Sequence, residues 1–459
     1  MAELSHAIRS YHRAKARYLV AKYGGGLVPL INPDTLPDDW KISGPISFYI
    51  YRKGTQTIYL FGDQHTSWEG GCGPVGVQSQ TLLQFNRNCT SLGNCVTIQQ
   101  IIEKCGEVAA SKGKTVPVLY EATNEFNRNL LHTATMIRKH PDQPTVEVLR
   151  GPIIDLMLYA GLVYGENSQI VDNATHHSTR EKLTKRGVEF VPVDGRDSSS
   201  KVTEAFRDLI GKYDAFRYSF LRFVKVIKSD RESEIHVQKV FKTCSSYLQK
   251  LIDTCRSFIK VPIIRDVVAH ITNVPTMDPS TATVKLLGMI AHEIPGFTAL
   301  SQTLSTEDKS LLDGVLDTIA NKIDEDMPLA TFFNNMIYIA NKDLTDGDKN
   351  IEEKNTMEFL IYVFQTLRKA SYIDLICTQI YIDIPVFIAL ILQGGAKKPY
   401  MDTTGMIVYV GHAHIETYNM MLLKAGYTEL FAISPITTSV CRCIKPKFSY
   451  RQVVEFSMY

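Results

Sequence analysis

The sequence predicts an α/β protein: a mostly parallel sheet with helices on both faces, interrupted by a large helical insertion. Strand-like apolar runs alternate with helix-like stretches from about residue 45 to 196, the βαβ pattern of a largely parallel sheet. From about residue 200 to 395 apolar positions recur at helical spacing instead, and strand-like runs return at 406–410 and 428–433. That order divides the chain into an N-terminal helical extension and linker (1–44), a first part of the α/β core (45–199), a helical insertion or cap (200–399), and a second part of the core with a C-terminal tail (400–459).

Each element has a local reason. Residues 1–23 carry a helical pattern, which Gly24, Gly25 and Gly26 and then Pro29, Pro33 and Pro37 break. Residues 58–61, 116–120 and 188–193 are short strand-like runs in which β-branched, aromatic and aliphatic side chains predominate, as in buried strands. Residues 205–226 and 357–369 place apolar side chains at helical spacing. The longest apolar region, 373–392, contains Asp374, Asp383 and Pro385, which predict two packed helical pieces and no membrane span. No internal repeat and no long low-complexity tract interrupts this order.

Two tetrapeptides of the form Gly-x-x-His carry the chemistry: Gly62-Asp63-Gln64-His65 and Gly411-His412-Ala413-His414. With 28 glycines and 12 histidines in 459 residues, composition alone supplies about 0.7 such matches, so the pattern by itself means little. Both, however, directly follow a strand-like run, the position where open α/β sheets place ligands. Glycine there lets the chain turn sharply and pass close to a ligand. The runs at 116–120 and 188–193 end likewise, in Glu121 and in Asp194 with Arg196 and Asp197 close behind. If the four strands are parallel neighbours, His65, His414, Glu121, Asp194 and Arg196 converge on one rim. That is the inventory of a metal site or an acid/base site. Polar residues at strand ends also serve simply to meet water, so the convergence, not any single residue, discriminates.

A strand ending in Gly-x-x-His, a Glu after the second strand, and a final strand with Gly-x-x-His followed by a helix and Gly426-Tyr427 resembles the superfamily containing TraB and Tiki proteins, erythromycin esterases and ChaN-like haem-binding proteins. The likeness covers roughly residues 55 to 195 and 400 to 435. The first motif, Phe61 to His65, also resembles that of uncharacterised proteins of large DNA viruses, in which a Cys-containing loop follows, as Cys72 does here. The resemblance implies a hydrolase-like site in which His65, Glu121 and His414 bind a divalent metal (Zn, Mn or Co) or act as acid/base groups. One departure is clear: Tiki and TraB proteins carry an arginine motif shortly before the final strand, whereas Arg196-Asp197 lies about two hundred residues upstream of it. Asp63 stands where the esterase branch often carries Glu, keeping a shorter carboxylate beside His65.

Two functions follow as expectations. The first is a metal-assisted hydrolase of an amide or ester bond, with His65, Glu121 and His414 holding the ion and Asp63 or Asp194 taking a proton from water. A metal-free version uses one histidine as general base oriented by Glu121. Its substrate would be a small molecule or a peptide. The second is a non-catalytic binding or structural protein on the same fold, either a viral particle component or a haem or metal carrier.

Composition excludes some classes without choosing among the rest. The formal net charge of +2 gives no global case for nucleic acid or an anionic membrane. The N-terminus lacks the apolar core of a secretory signal, so intracellular residence is the expectation, in a cytoplasm or in a virion. Nine cysteines include Cys72, Cys89, Cys95 and Cys105, placed on or near one loop beside the site. Their spacing contains no C-x-x-C knuckle; free thiols are the reading for a reducing compartment, and a disulfide the alternative for an extracellular particle. His176-His177 precede a plausible helix start and are either accessory ligands or solvated loop residues. His292-Glu293 lacks the second histidine of a zincin helix, and the loop at Asp346 lacks the glycine and glutamate of a calcium site. No P-loop and no G-x-S-x-G elbow is present.

Overall fold

Gly54-Thr55, with Gly54 at φ +59°, closes a two-residue turn between β2 (Ser47–Lys53) and β3 (Gln56–Asp63), and this hairpin orients the sheet. The computed structural model describes residues 36, 38–43, 45–63, 95–121, 187–194, 201–229, 233–273, 279–294, 297–325, 327–342, 354–391, 405–434 and 443–456. The chain divides into two compact units, one made of Met1–Asp197 with Pro385–Tyr459 and the other of Ser198–Ile384.

The first unit is built on a six-stranded sheet, which adds β5 (Val116–Tyr120), β6 (Val188–Pro192), β7 (Gly405–Gly411) and β8 (Thr428–Ile433) to the hairpin. The spatial order is β6-β5-β7-β3-β2-β8. β6, β5, β7 and β3 are parallel neighbours, and only β2 runs against its neighbours β3 and β8. The sheet is thus mixed and mostly parallel, and the fold is α/β. A smaller sheet joins β1 (Lys41–Ser43) in parallel to β4 (Cys95–Thr97) and antiparallel to β9 (Cys443–Ile444).

The central strands read as continuous apolar runs because both of their faces are covered. Phe48 and Ile50 of β2, Tyr59 and Phe61 of β3, Val118 and Tyr120 of β5, and Ile407 and Tyr409 of β7 share one face. There they pack with Ile98, Ile101, Ile102 and Cys105 of α1 (Ile98–Ser111), an amphipathic helix. The Phe48 and Phe61 rings stack at 4.3 Å. Each buried isoleucine of α1 contributes about 1.5–3 kcal/mol. The other face carries Leu60 and Gly62, and there α10 (His412–Lys424) packs through Ile415. α10 ends in a glycine cap: Gly426 at φ +81° lets Tyr427 N–H reach Leu422 O at 2.9 Å and Gly426 N–H reach Leu423 O at 3.0 Å. The chain then enters β8, and a short helix, α11 (Tyr450–Val454), closes the described part of this unit.

The second unit is helical throughout its described residues: α2 (Lys201–Ile227), α3 (Glu234–Phe258), α4 (Pro262–Asn273), α5 (Pro279–Glu293), α6 (Phe297–Ser301), α7 (Thr306–Asp324), α8 (Leu329–Asn341) and most of α9 (Lys354–Leu390). Ser233 and Ser305 cap α3 and α7 by accepting the His236 and Asp308 amides. The amphipathic face of α2, led by Phe206, Leu209, Phe216 and Phe223, packs against α3.

One sequence expectation is corrected here. Residues 373–392 do not form two helical pieces, because α9 is one helix with Pro385 inside it. Proline removes one backbone hydrogen bond, and the burial of Ile384, Val386 and Phe387 on either side offsets that loss. By length and composition α9 could cross a membrane, yet most of its apolar stretch is buried in the protein, as in a core helix. Of the four clustered cysteines, Cys95 opens β4 and Cys105 is buried in α1. Cys72 and Cys89 lie outside the described residues, as do residues 1–23 and His176-His177.

Candidate functional site

Because β6, β5, β7 and β3 are parallel neighbours, their C-terminal ends form one rim, with β7, the last of these four in sequence, inserted between β5 and β3. In open sheets a crevice for ligands lies at such a reversal of strand order. Asp63 ends β3 directly opposite Gly411 of β7. Glu121 follows β5 and continues the pairing, its amide donating to Tyr409 O at 3.2 Å. Val193 N–H donates to Tyr120 O at 3.0 Å, which carries the chain past β6 to Asp194. Asp63, Glu121, Asp194 and His414 are all buried, with 1, 6, 6 and 5% of their surface exposed.

Glu121 and His414 are brought together. Glu121 Oε2 accepts the Gly411 N–H at 2.8 Å and lies 3.9 Å from His414 Nε2. α10 starts at the residue after Gly411, so the carboxylate occupies the positive end of a helix, where amides lack intrahelical acceptors. His414 sits in the first turn of that helix and its ring stacks on Tyr418, one turn on, at 6.1 Å. His65 and Arg196 lie outside the described residues.

The sequence reading missed a second pair. Ser47 starts the antiparallel strand β2 and therefore meets the same rim, opposite Gly62. Its Oγ is 2.8 Å from His412 Nδ1. A Cβ on Gly62 would come within 3.0 Å of that nitrogen, within 2.9 Å of Ile415 and closer still to Ser47 Oγ, so the first motif needs glycine where the second motif packs over it. His412 is half-buried, and burial holds its imidazole below the ordinary histidine value, with Glu416 pulling the other way. His412 was visible inside the motif, whereas nothing in the sequence marks Ser47.

The donor types suit a divalent transition metal, since imidazole nitrogen and carboxylate oxygen are its usual ligands. Glu121 and His414 supply two such donors at neighbouring positions. Among the described residues no group of three His, Cys, Asp or Glu side chains gathers. Fold and rim together define an α/β protein with a buried carboxylate–histidine pair at the end of its central strands. No protein-family model matches the chain, and no curated protein or solved structure matches it significantly.

Proposed function

We propose that the rim is the site of a metal-assisted hydrolase acting on an amide or ester bond, on a scaffold of the EreA/ChaN-like kind within the TraB/Tiki superfamily. The observation that carries this reading is the approach of Glu121 and His414, far apart in sequence, to 3.9 Å at the end of the central strands. His65, Glu121 and His414 would hold the ion, and Zn, Mn or Co would supply Lewis-acid polarisation of the carbonyl and a bound water of lowered pKa. Asp63 or Asp194 would take a proton from the attacking water as its oxygen bonds to the carbonyl carbon. The same proton would then pass to the departing alcohol or amine as the old bond breaks. Burial of these carboxylates keeps competing water away from the transfer.

The test is metal analysis after dialysis against Zn, Mn or Co, followed by turnover of a panel of esters and peptides. Stoichiometric metal that disappears in a folded His65→Ala, His414→Ala double variant, together with turnover that follows the metal, is the expected result. Metal binding unchanged by the double variant would defeat the assignment. A second reading has one observation in its favour: the 2.8 Å bond from Gly411 N–H gives Glu121 a structural use at the start of α10. On that reading the protein is a non-catalytic binding or structural component, in a cell or a viral particle, and the rim variants lose stability but no turnover.

A further inference from the structure

Ser47 has no exposed surface, so its hydroxyl must find its hydrogen-bond partner inside the protein. His412 Nδ1, at 2.8 Å, is the partner the structure provides. A buried hydroxyl leaves its proton orphaned unless it donates, and a neutral imidazole can accept at one nitrogen only. With Ser47 as the donor to Nδ1, a neutral ring carries its proton on Nε2. The close packing of Ser47, His412 and Ile415 over Gly62 fixes the ring against the sheet. His412 nevertheless keeps accessible surface, and the Nδ1 edge is the one turned to the buried serine. Among the described residues nothing else hydrogen-bonds the ring.

We infer that His412 is a further residue of this rim, a neutral Nε2–H donor held in one tautomer by Ser47 and aimed at an acceptor oxygen of a bound ligand. Its place is the first residue of α10, beside Gly411 and two residues before His414. If the hydrolytic reading holds, on which the identity of the ligand rests, that oxygen is the carbonyl oxygen of the bond to be cleaved. A ring fixed against the sheet suits that role because its N–H is already aimed where negative charge develops and need not reorient during the reaction. Ser47 acts through His412 and is a positioning residue.

Two measurements on the full-length protein test this. The first is the imidazole 15N signal of His412 compared between wild type and Ser47→Ala. An Nε2–H tautomer in the wild type, giving way to a mixture in Ser47→Ala, is expected; an Nδ1–H tautomer in the wild type overturns the assignment. The second is hydrolysis of 4-nitrophenyl acetate by His412→Asn and His412→Gln. Asn places its amide near Nδ1 and keeps the serine bond, whereas Gln reaches toward Nε2. Folded His412→Asn should lose about a hundredfold in kcat with KM little changed, and His412→Gln should recover part of it. Wild-type turnover in folded His412→Asn overturns the role. If the wild type itself does not cleave the ester, the hydrolytic reading fails for this substrate class, and the 15N result still decides the donor assignment.

Discussion

The carboxylate of Glu121 accepts the backbone N–H of Gly411 at 2.8 Å, tying the end of β5 to the residue that starts α10. Glu121 thus does two things at one place: it satisfies an amide at a helix N-terminus, and it presents a buried oxygen 3.9 Å from His414. A residue that merely caps a helix and one that holds a reacting group make different demands on its chemistry, and substitution separates them.

Glu121→Ala leaves the Gly411 amide without its acceptor and should cost about 1–3 kcal/mol of stability. Glu121→Gln keeps a carbonyl oxygen for that amide and loses only the charge at the helix end, about 0.3–1 kcal/mol. Urea unfolding of the two variants gives the difference. Equal losses would show that the hydrogen bond to Gly411 does not matter. If Glu121 also serves as ligand or acid/base group, Glu121→Gln should fold well yet lose metal or turnover.

Gly62→Ala should destabilise by about 1–3 kcal/mol, because the new methyl would collide with Ser47 Oγ and press on Ile415 and His412. Removing the hydroxyl should relieve part of that. Ser47→Ala in the Gly62→Ala background is therefore expected to cost less than in the wild type, with a coupling of about 1 kcal/mol in a double-mutant cycle. Strict additivity would mean that the two residues do not compete for one space.

What the sequence made legible follows from the range of the forces involved. β3, β5, β6 and β7 are visible as apolar runs, since burial on both faces leaves a local imprint, whereas β8 is exposed to half-buried and shows only through its β-branched and aromatic residues. β2 was not read, because its identity as a partner of β3 rests on the turn Gly54-Thr55, a weaker hairpin sign than Asn-Gly or Asp-Gly. α9 was broken at Pro385 by a local rule that burial of its neighbours overrides. At the rim, the placement of Glu121 and His414 at strand ends could be read from sequence. That they meet depends on β7 lying between β5 and β3, a matter of strand order that no local pattern encodes. The Ser47–His412 bond is further removed still, for it needs both the antiparallel register of β2 and the start point of α10.

The burial of His412 gives a prediction about acid. Its folded-state pKa lies below the ordinary value of 6.5, so between the two values the unfolded chain binds more protons than the folded one. Stability from this group is therefore complete above about pH 6.5 and is lost as pH falls through the lower folded value. His412→Gln, which does not titrate, should flatten the unfolding free energy over that window relative to wild type. A pH profile unaltered by the substitution would show that the imidazole is not held neutral.

Two glycines with left-handed backbone test how tightly α1 is set against the rim strands. Gly113, at φ +66°, has open space where a Cβ would go, so Gly113→Ala should cost only the backbone strain, about 1–2 kcal/mol. Gly187, at φ +73°, opens β6, and a Cβ there would stand 1.9 Å from the carbonyl oxygen of Gly106 and 2.9 Å from Ala110, both on α1. A clash with backbone cannot be relieved by turning a side chain. Either α1 shifts or the entry to β6 does, and the latter would disturb the Gly187 carbonyl that accepts the Val116 amide at 3.0 Å. Since β6 carries the chain to Asp194 and Val116 begins the strand that carries Glu121, the damage should reach the rim. Gly187→Ala is expected to exceed about 4 kcal/mol, the range reserved for core clashes, and to lower the yield of folded protein well below that of Gly113→Ala. Comparable thermal midpoints for the two variants would show that α1 does not pack on β6 as closely as the backbone distance requires.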